Sequence, residues 1–492
     1  MGDLVQTGVA ATPIAVVLIL LVFRVPSLTA GTAGLISAVV AAAVVFRPDD
    51  DEITAAVTQL GPTVLEVSLI LLGGVLLATA LSATGSRDHI AGWLERVGSG
   101  SDRVPAVLLL VFGLTPFMES VTGFGLGVVI TAPLLVRMGL SPVKAVVTGL
   151  LGLVLVPWGS LGPGTLVAAD LGGQDFGELG LWSSLLTLPV LVVSMTVVLV
   201  VVTTRPAVRQ VLLGAAIVAA QWLVLVAANA VVGTPPSGLI APVAVIALLL
   251  GIARGRHGPL PRISRDLVRT LVPFAVLLAG ILGTTAVLAA VGGPSAPTWP
   301  ASPALWVNVA ALVAIRVYGT GTDTGARALL RTALATWVPV AGNAVVFMAI
   351  GIVMATAGMA AHLAELVTGF GEASLALIPA VGALGGYLTG SNTGAAAMFS
   401  TATTGAAAAL GADPLVALAG QNVAGSYAII VSPPRVALAV GIVMAGTTRL
   451  PAAATRTLAV AVLATTTILC LLVAVLARSE EHTSELQSHT EI

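Results

Sequence analysis

Glu119 and Arg435 place charge where charge is costly. Glu119 interrupts an apolar stretch running from 104 to 138, and Arg435 lies inside another running from 414 to 446. An ionised carboxylate at membrane depth is expensive, which suits a group that takes up and releases a proton. The simpler role for Glu119 is to cap the Thr122–Gly127 turn. An Arg at the centre of a span costs about 2.5–3.5 kcal/mol on insertion scales. Three compensations are open to Arg435: a carboxylate solute held in fork geometry, a fixed ion pair with Glu119, or snorkelling to the cytoplasmic end. Glu66 is the second intramembrane carboxylate, read as lying near the end of a helix over 63–83. Ser391, Asn392 and Thr393 stand together at a turn, where freed helix amides, hydroxyls and a side-chain amide would offer donors to an anion. Small residues crowd the same places: Gly123, Gly125 and Gly127 in one stretch, Gly390 and Gly394 in the other. Close helix packing would also explain any one of these glycines. Tyr387, Gln421, Asn422, Ser426 and Tyr427 either line the same site or bond one helix to another.

The elements that must position these residues break in a paired way. The stretch 104–138 is interrupted at Glu119–Gly127, and the stretch 374–411 at Thr389–Gly394. Each is followed by a proline, Pro142 or Pro414, and a further apolar segment. Those segments break in turn, at Pro157–Gly164 and at Ser432-Pro433-Pro434. Backbone that leaves a helix inside hydrocarbon loses hydrogen bonds worth several kcal/mol per group, so it is tolerated only against protein or a water-filled cavity. Two matched sets of breaks mark a secondary transporter built from an internal repeat.

Composition agrees. Of 492 residues, 57% are hydrophobic and only 9% charged, against about a quarter charged in soluble domains; the mean hydropathy is +1.06. Apolar segments near 9–23, 28–46, 63–83, 142–165, 181–202, 211–232, 237–252, 270–291, 303–316, 332–357, 414–446 and 457–477 approach or reach the span of a bilayer. The segments 203–210, 253–269, 316–331 and 447–456 carry Lys or Arg, whereas 157–180, 233–236, 292–302 and 358–373 carry none. That alternation survives every crossing only if 104–138 dips in from the cytoplasm and 374–411 from outside. Of the 21 basic residues, only Arg47, Arg435 and Arg478 then fail to lie inside. The expectation is an all-α polytopic membrane protein, an inverted-repeat transporter with about 12 transmembrane helices, two re-entrant hairpins and two broken helices. Residues 1–202 form the first repeat, 203–269 two linking helices and a basic cytoplasmic loop, and 270–478 the second repeat. Residues 479–492 are polar and unlike the rest, and read as a non-native tail.

Several classes are excluded or disfavoured. The net charge of −1 gives nucleic acid no electrostatic footing. Cys470 alone cannot form a disulfide framework. No metal-ligand spacing, phosphate loop or nucleophile elbow occurs, so no cofactor or metal is expected and an embedded enzyme lacks a catalytic set. Asp323-Thr324-Gly325 reads as a turn in a basic loop, and the arginines of 253–269 set topology and meet anionic lipid. A sodium-coupled carrier of another carboxylate or a sulfonate remains the rival within transport.

At the same residues the sequence resembles the L-lactate permease family. Phe117-Met-Glu-Ser-Val-Thr-Gly-Phe-Gly125, continuing through Ile130-Thr-Ala-Pro-Leu-Leu135, is similar to that family's first signature. Leu388-Thr-Gly-Ser-Asn-Thr393 resembles its second, with Gly394 where a Ser is common, and 419–433 resembles the segment ending in Ser-Pro. The likeness in hydropathy and order extends over most of 18–477. It implies proton-coupled uptake of 2-hydroxy-monocarboxylates such as lactate and glycolate across the inner membrane. A homodimer, and a site that moves across the bilayer like an elevator, are implied with it. Matching position by position gives Glu119, Gly123, Gly125, Ser391, Asn392, Thr393 and Ser432 as site residues. The chain departs from the pattern at Ala428-Ile-Ile-Val431, apolar where the family often carries a basic residue. Here the positive charge is Arg435, just after the break.

Overall fold

Prolines start many of the helices and glycines end several. The computed structural model describes residues 3–97, 103–123, 125–291, 299–318, 323–369, 371–444, 447 and 449–478; the tail 479–492 lies outside them. Helices α1 (Asp3–Val22), α2 (Ser27–Ala41, extended by a π-helical turn to Phe46) and α3 (Asp50–Ala83) open the chain, followed by the short α4 (Ser86–Val97). Next come α5 (Val104–Leu108), a π-helical turn, α6 (Thr115–Thr122) and α7 (Leu126–Arg137). The first broken helix comprises α8 (Pro142–Leu151), a 3-10 turn at Val156–Leu161 and α9 (Pro163–Gly172). Then follow α10 (Phe176–Leu186), α11 (Leu188–Thr203), α12 (Val208–Val232) and α13 (Thr234–His257).

The second half runs α14 (Arg265–Val291), α15 (Pro303–Val317), α16 (Asp323–Thr356) and the short α17 (Met359–Thr368). Helices α18 (Ile378–Thr389) and α19 (Asn392–Ala409) follow. The second broken helix comprises α20 (Pro414–Ala428), a 3-10 turn at Ile429–Val431 and α21 (Pro433–Val443), and α22 (Ala452–Leu476) closes the described chain. Proline at the first helical position, as in α8, α9, α15, α20 and α21, gives up an amide that has no intrahelical partner there. Among the described residues, 11 helices are long and apolar enough to cross a membrane, and no strand occurs.

Three boundaries correct the sequence reading. Helix α3 begins at Asp50 rather than 63, because Asp49 and Glu52 form a capping box that starts it early. Glu66 is therefore well inside a 34-residue helix and not near its end. The break in the first broken helix opens already at Gly152, and helical chain runs on to Gly172. Asp323, read as part of a turn, instead starts α16. The short helices α4 and α17 carry mixed sequences that offered no long apolar run.

Burial separates two kinds of segment. The apolar windows in Val104–Thr122 and Pro414–Val431 are 89% and 83% buried, against 17–56% for the other spans. Helices such as α1, α12 and α22 turn large apolar side chains outward, Val22, Leu223 and Leu471 among them. A soluble protein rarely tolerates so much exposed apolar surface, whereas a bilayer covers it. The chain leading into the first tip and into the second broken helix is thus wrapped in protein, one of the two settings, with a water-filled cavity, in which non-helical backbone survives at membrane depth.

The packing is reciprocal. α1 packs on α17 as α14 packs on α4; α2 packs on α16 as α15 packs on α3; α9 packs on α19 as α21 packs on α7. Exchanging the two halves of the chain maps each of these pairs onto the other. Helices α3 and α16 are both 34 residues long, each with one internal proline, Pro62 or Pro339.

Candidate functional site

Both helix–turn–helix segments end their first arm at a glycine of positive φ. α6 stops at Gly123 (φ 66°) and α18 at Gly390 (φ 64°), a conformation costly for residues with a Cβ. In the first tip Glu119 folds back along the break, and its two carboxylate oxygens accept from the Gly125 and Gly127 amides at 2.9 and 3.3 Å. It is 2% exposed. Thr115 Oγ1 donates to Thr131 Oγ1 at 2.8 Å and ties the two arms together below the tip. In the second tip Ser391 caps α19 by accepting from the Gly394 amide, while the Ser391 amide donates to Thr389 Oγ1. The amides of Asn392 and Thr393, in the first turn of α19, have no carbonyl one turn earlier to bond.

Each tip rests on a broken helix. A Cβ on Gly123 would stand 2.8 Å from Ser160 Cβ, and one on Gly390 would stand 3.4 Å from Ser432 Oγ and 3.1 Å from Pro434. Ser160 and Ser432 are thus equivalent partners, both buried, and neither Oγ has a hydrogen-bond partner in the protein. The tips also cross between halves. Gly125 of the first tip lies against the Arg435 guanidinium, and a Cβ on Gly164 of the first broken helix would stand 2.6 Å from Asn392 Nδ2. Asn392 Nδ2 donates to Asn422 Oδ1 at 2.8 Å, and Asn422 Nδ2 donates to Ser183 Oγ at 3.0 Å and Thr165 Oγ1 at 3.2 Å. One buried amide pair therefore ties the second tip to α20, α9 and α10.

These elements line a cavity of about 480 Å³. Glu119, Gly123, Ser391, Asn392, Thr393 and Arg435 all line it, so six of the sequence candidates converge on one space. Gly125 and Ser432 sit immediately behind, against Arg435 and Gly390. Glu66 is elsewhere: it lines a separate pocket of about 580 Å³ beside α15, and accepts from Ser302 Oγ at 2.7 Å. Arg435 makes no ion pair with Glu119 within 4.0 Å. Its Nε has no partner in the protein. The positive charge faces the cavity. Of the second group, Gln421 bonds Ser400 and Thr403, and Tyr427 bonds Ser194 at 2.6 Å. Neither these two nor Asn422, Ser426 and Tyr387 line the cavity.

Sequence reasoning missed three residues of the cavity. Ser27 of α2, Asn343 of α16 and Ser160 line the cavity and carry buried polar atoms without a protein partner. Asn343 was visible as a lone amide in an apolar helix, and Ser160 lies inside a break already singled out. Ser27 gave no signal beyond following Pro26. Among the described residues no cluster of three metal-ligating side chains occurs.

The arrangement defines a class: a multi-pass helical membrane protein whose interrupted helices meet at one cavity that carries charged and polar side chains. The chain matches the family described as L-lactate permease over residues 7–250 and 272–478, and it belongs to that family. It is a transport protein for lactate or a related organic anion. No curated protein matches the chain. Among solved structures the Alcanivorax borkumensis YdaH transporter is similar, at 15% identity and a TM-score of 0.47 over 87% of this chain and 89% of that one.

Proposed function

We propose that this protein is a secondary carrier that takes up small 2-hydroxy-monocarboxylates, lactate and glycolate among them, together with protons across the inner membrane. The observation that carries the reading is the convergence of the α9 and α19 N-termini with Arg435 on a single cavity. First-turn amides and an unpaired guanidinium are donors suited to a carboxylate. The solute's carboxylate sits between the two tips, against the amides of Asn392 and Thr393 and the Arg435 guanidinium. Glu119 couples the proton. A proton on its carboxyl weakens the acceptor that one of the Gly125 and Gly127 amides uses and adds a donor there, so its protonation and the shape of the first tip are linked. The reciprocal packing supports two repeats, 1–202 and 270–478, joined by 203–269; with the charge alternation of the loops it supports opposite orientations and two re-entrant hairpins. A homodimer is proposed with it.

The test is uptake of labelled lactate into proteoliposomes under an imposed pH gradient. Accumulation is expected to follow the gradient and to ignore replacement of sodium by potassium; uptake indifferent to pH and dependent on sodium would overturn the coupling. For Glu119→Gln, gradient-driven accumulation is expected to disappear while lactate–lactate exchange persists. Unchanged accumulation would remove Glu119 from that role.

A further inference from the structure

The wall facing the breaks holds two polar side chains that the anion site leaves unexplained. Ser27 begins α2, and Asn343 lies in the middle of α16. α2 packs along α16 so that a Cβ on Gly342 would stand 3.8 Å from Leu28 Cδ1, and one on Gly31 would stand 3.0 Å from Val346. Ser27 and Asn343 are therefore flanked by contacting neighbours, and both line the cavity that holds Arg435 and the tip amides. Asn343 Oδ1 and Ser27 Oγ are buried, and neither has a hydrogen-bond partner in the protein.

The other half of the molecule supplies an internal comparison. Glu66 stands four residues after Pro62 in α3, as Asn343 stands four residues after Pro339 in α16. Ser302 directly precedes α15, much as Ser27 begins α2. In that matched place the serine donates to the acid at 2.7 Å and accepts from the Ala304 amide at 3.1 Å, so the pair is closed on itself. The Ser27 and Asn343 groups are not closed. Leaving a buried polar atom unpaired is costly, a cost removed when something in the cavity provides the partner. A carbonyl oxygen needs a donor, and a serine hydroxyl can donate in return. One solute group answers both, a hydroxyl. A methylene answers neither.

We infer that Asn343, assisted by Ser27, reads the hydroxyl of the transported anion and so sets the preference for hydroxylated over unsubstituted carboxylates. The inference rests on the cavity being the anion site. Substrate then spans two walls: its carboxylate on the breaks and its hydroxyl on α2 and α16.

The experiment measures competition by unlabelled lactate and propionate against labelled lactate, as binding to the purified full chain and as uptake into proteoliposomes. Propionate has the same carbon skeleton without the hydroxyl. Wild type is expected to prefer lactate, and Asn343→Ala to lose that preference roughly tenfold, the worth of one hydrogen bond to a buried group. Propionate affinity is expected to change little, which a general loosening of the fold would not produce. Ser27→Ala, at a helix start and far less disruptive, should move the ratio the same way by a smaller factor and keeps the test decisive if Asn343→Ala folds poorly. An unchanged lactate-to-propionate ratio in both variants overturns the inference while leaving the anion site standing. Failure of wild type to bind lactate at all overturns the carrier reading and this one with it.

Discussion

At Gly125 a single missing methyl group decides where a charge goes. The residue holds φ 79° and lies against the Arg435 guanidinium, with its amide bonded to Glu119. Gly125→Ala would force left-handed backbone on an L-residue, at about 1–2 kcal/mol, and push the guanidinium aside. Lactate affinity is expected to fall severalfold with a modest drop in melting temperature; affinity at the wild-type level would show that Arg435 is not held by this contact. Arg435 itself separates fork recognition from point charge. Arg435→Lys keeps the charge but loses the planar fork, and binding is expected to weaken by roughly tenfold, with Arg435→Met weaker still, for a charge-assisted bond of about 1.5–3 kcal/mol. Equal binding by all three would exclude the residue from the site.

At the level of helices, the tips hold their shape because neighbouring elements fix them. Asn422 joins α20 to α19, α9 and α10 through three side-chain hydrogen bonds. Asn422→Leu would leave Asn392, Ser183 and Thr165 short of a partner at once. The melting temperature is expected to fall by several degrees, an effect of about 2–3 kcal/mol, and lactate affinity with it, although Asn422 does not line the cavity. Gly382 and Gly386 set a second constraint. Their faces meet the backbone of Gln421 and Gly425, so α18 and α20 touch main chain to main chain. Close small-residue packing, considered for the tip glycines, holds at Gly127 against the Thr115 carbonyl and extends to these positions one and two turns before Gly390.

Across the whole molecule, the reciprocal packing and the loop charges combine into a prediction about sides. With Cys470 replaced by Ser, single cysteines at Gly233 and Gly258 are expected to react with a membrane-impermeant thiol reagent from opposite faces of intact cells, Gly258 only after lysis. Labelling of both from outside would rule out the inverted arrangement. Much of this architecture was legible beforehand. The span starts came from prolines and apolar runs, and the two paired breaks from Gly-rich polar interruptions, because both are local properties of the chain. What was not legible was the extent of α3, where a capping box added turns that carry several charges, and the role of α2 and α16 as a wall.

The sequence by itself determined that this chain crosses a membrane many times, where its helices break, and which residues stand at the breaks. Those follow from hydropathy, proline and glycine, which act over a few residues. Only the tertiary structure decided which breaks meet. It placed Arg435 on the first tip, Asn392 on the first broken helix and Glu66 in a separate pocket. It also left Ser27 and Asn343 facing the cavity without partners, while Ser302 and Glu66 satisfy one another. The reason is that such pairings join residues hundreds of positions apart, and no local preference of either segment encodes the other.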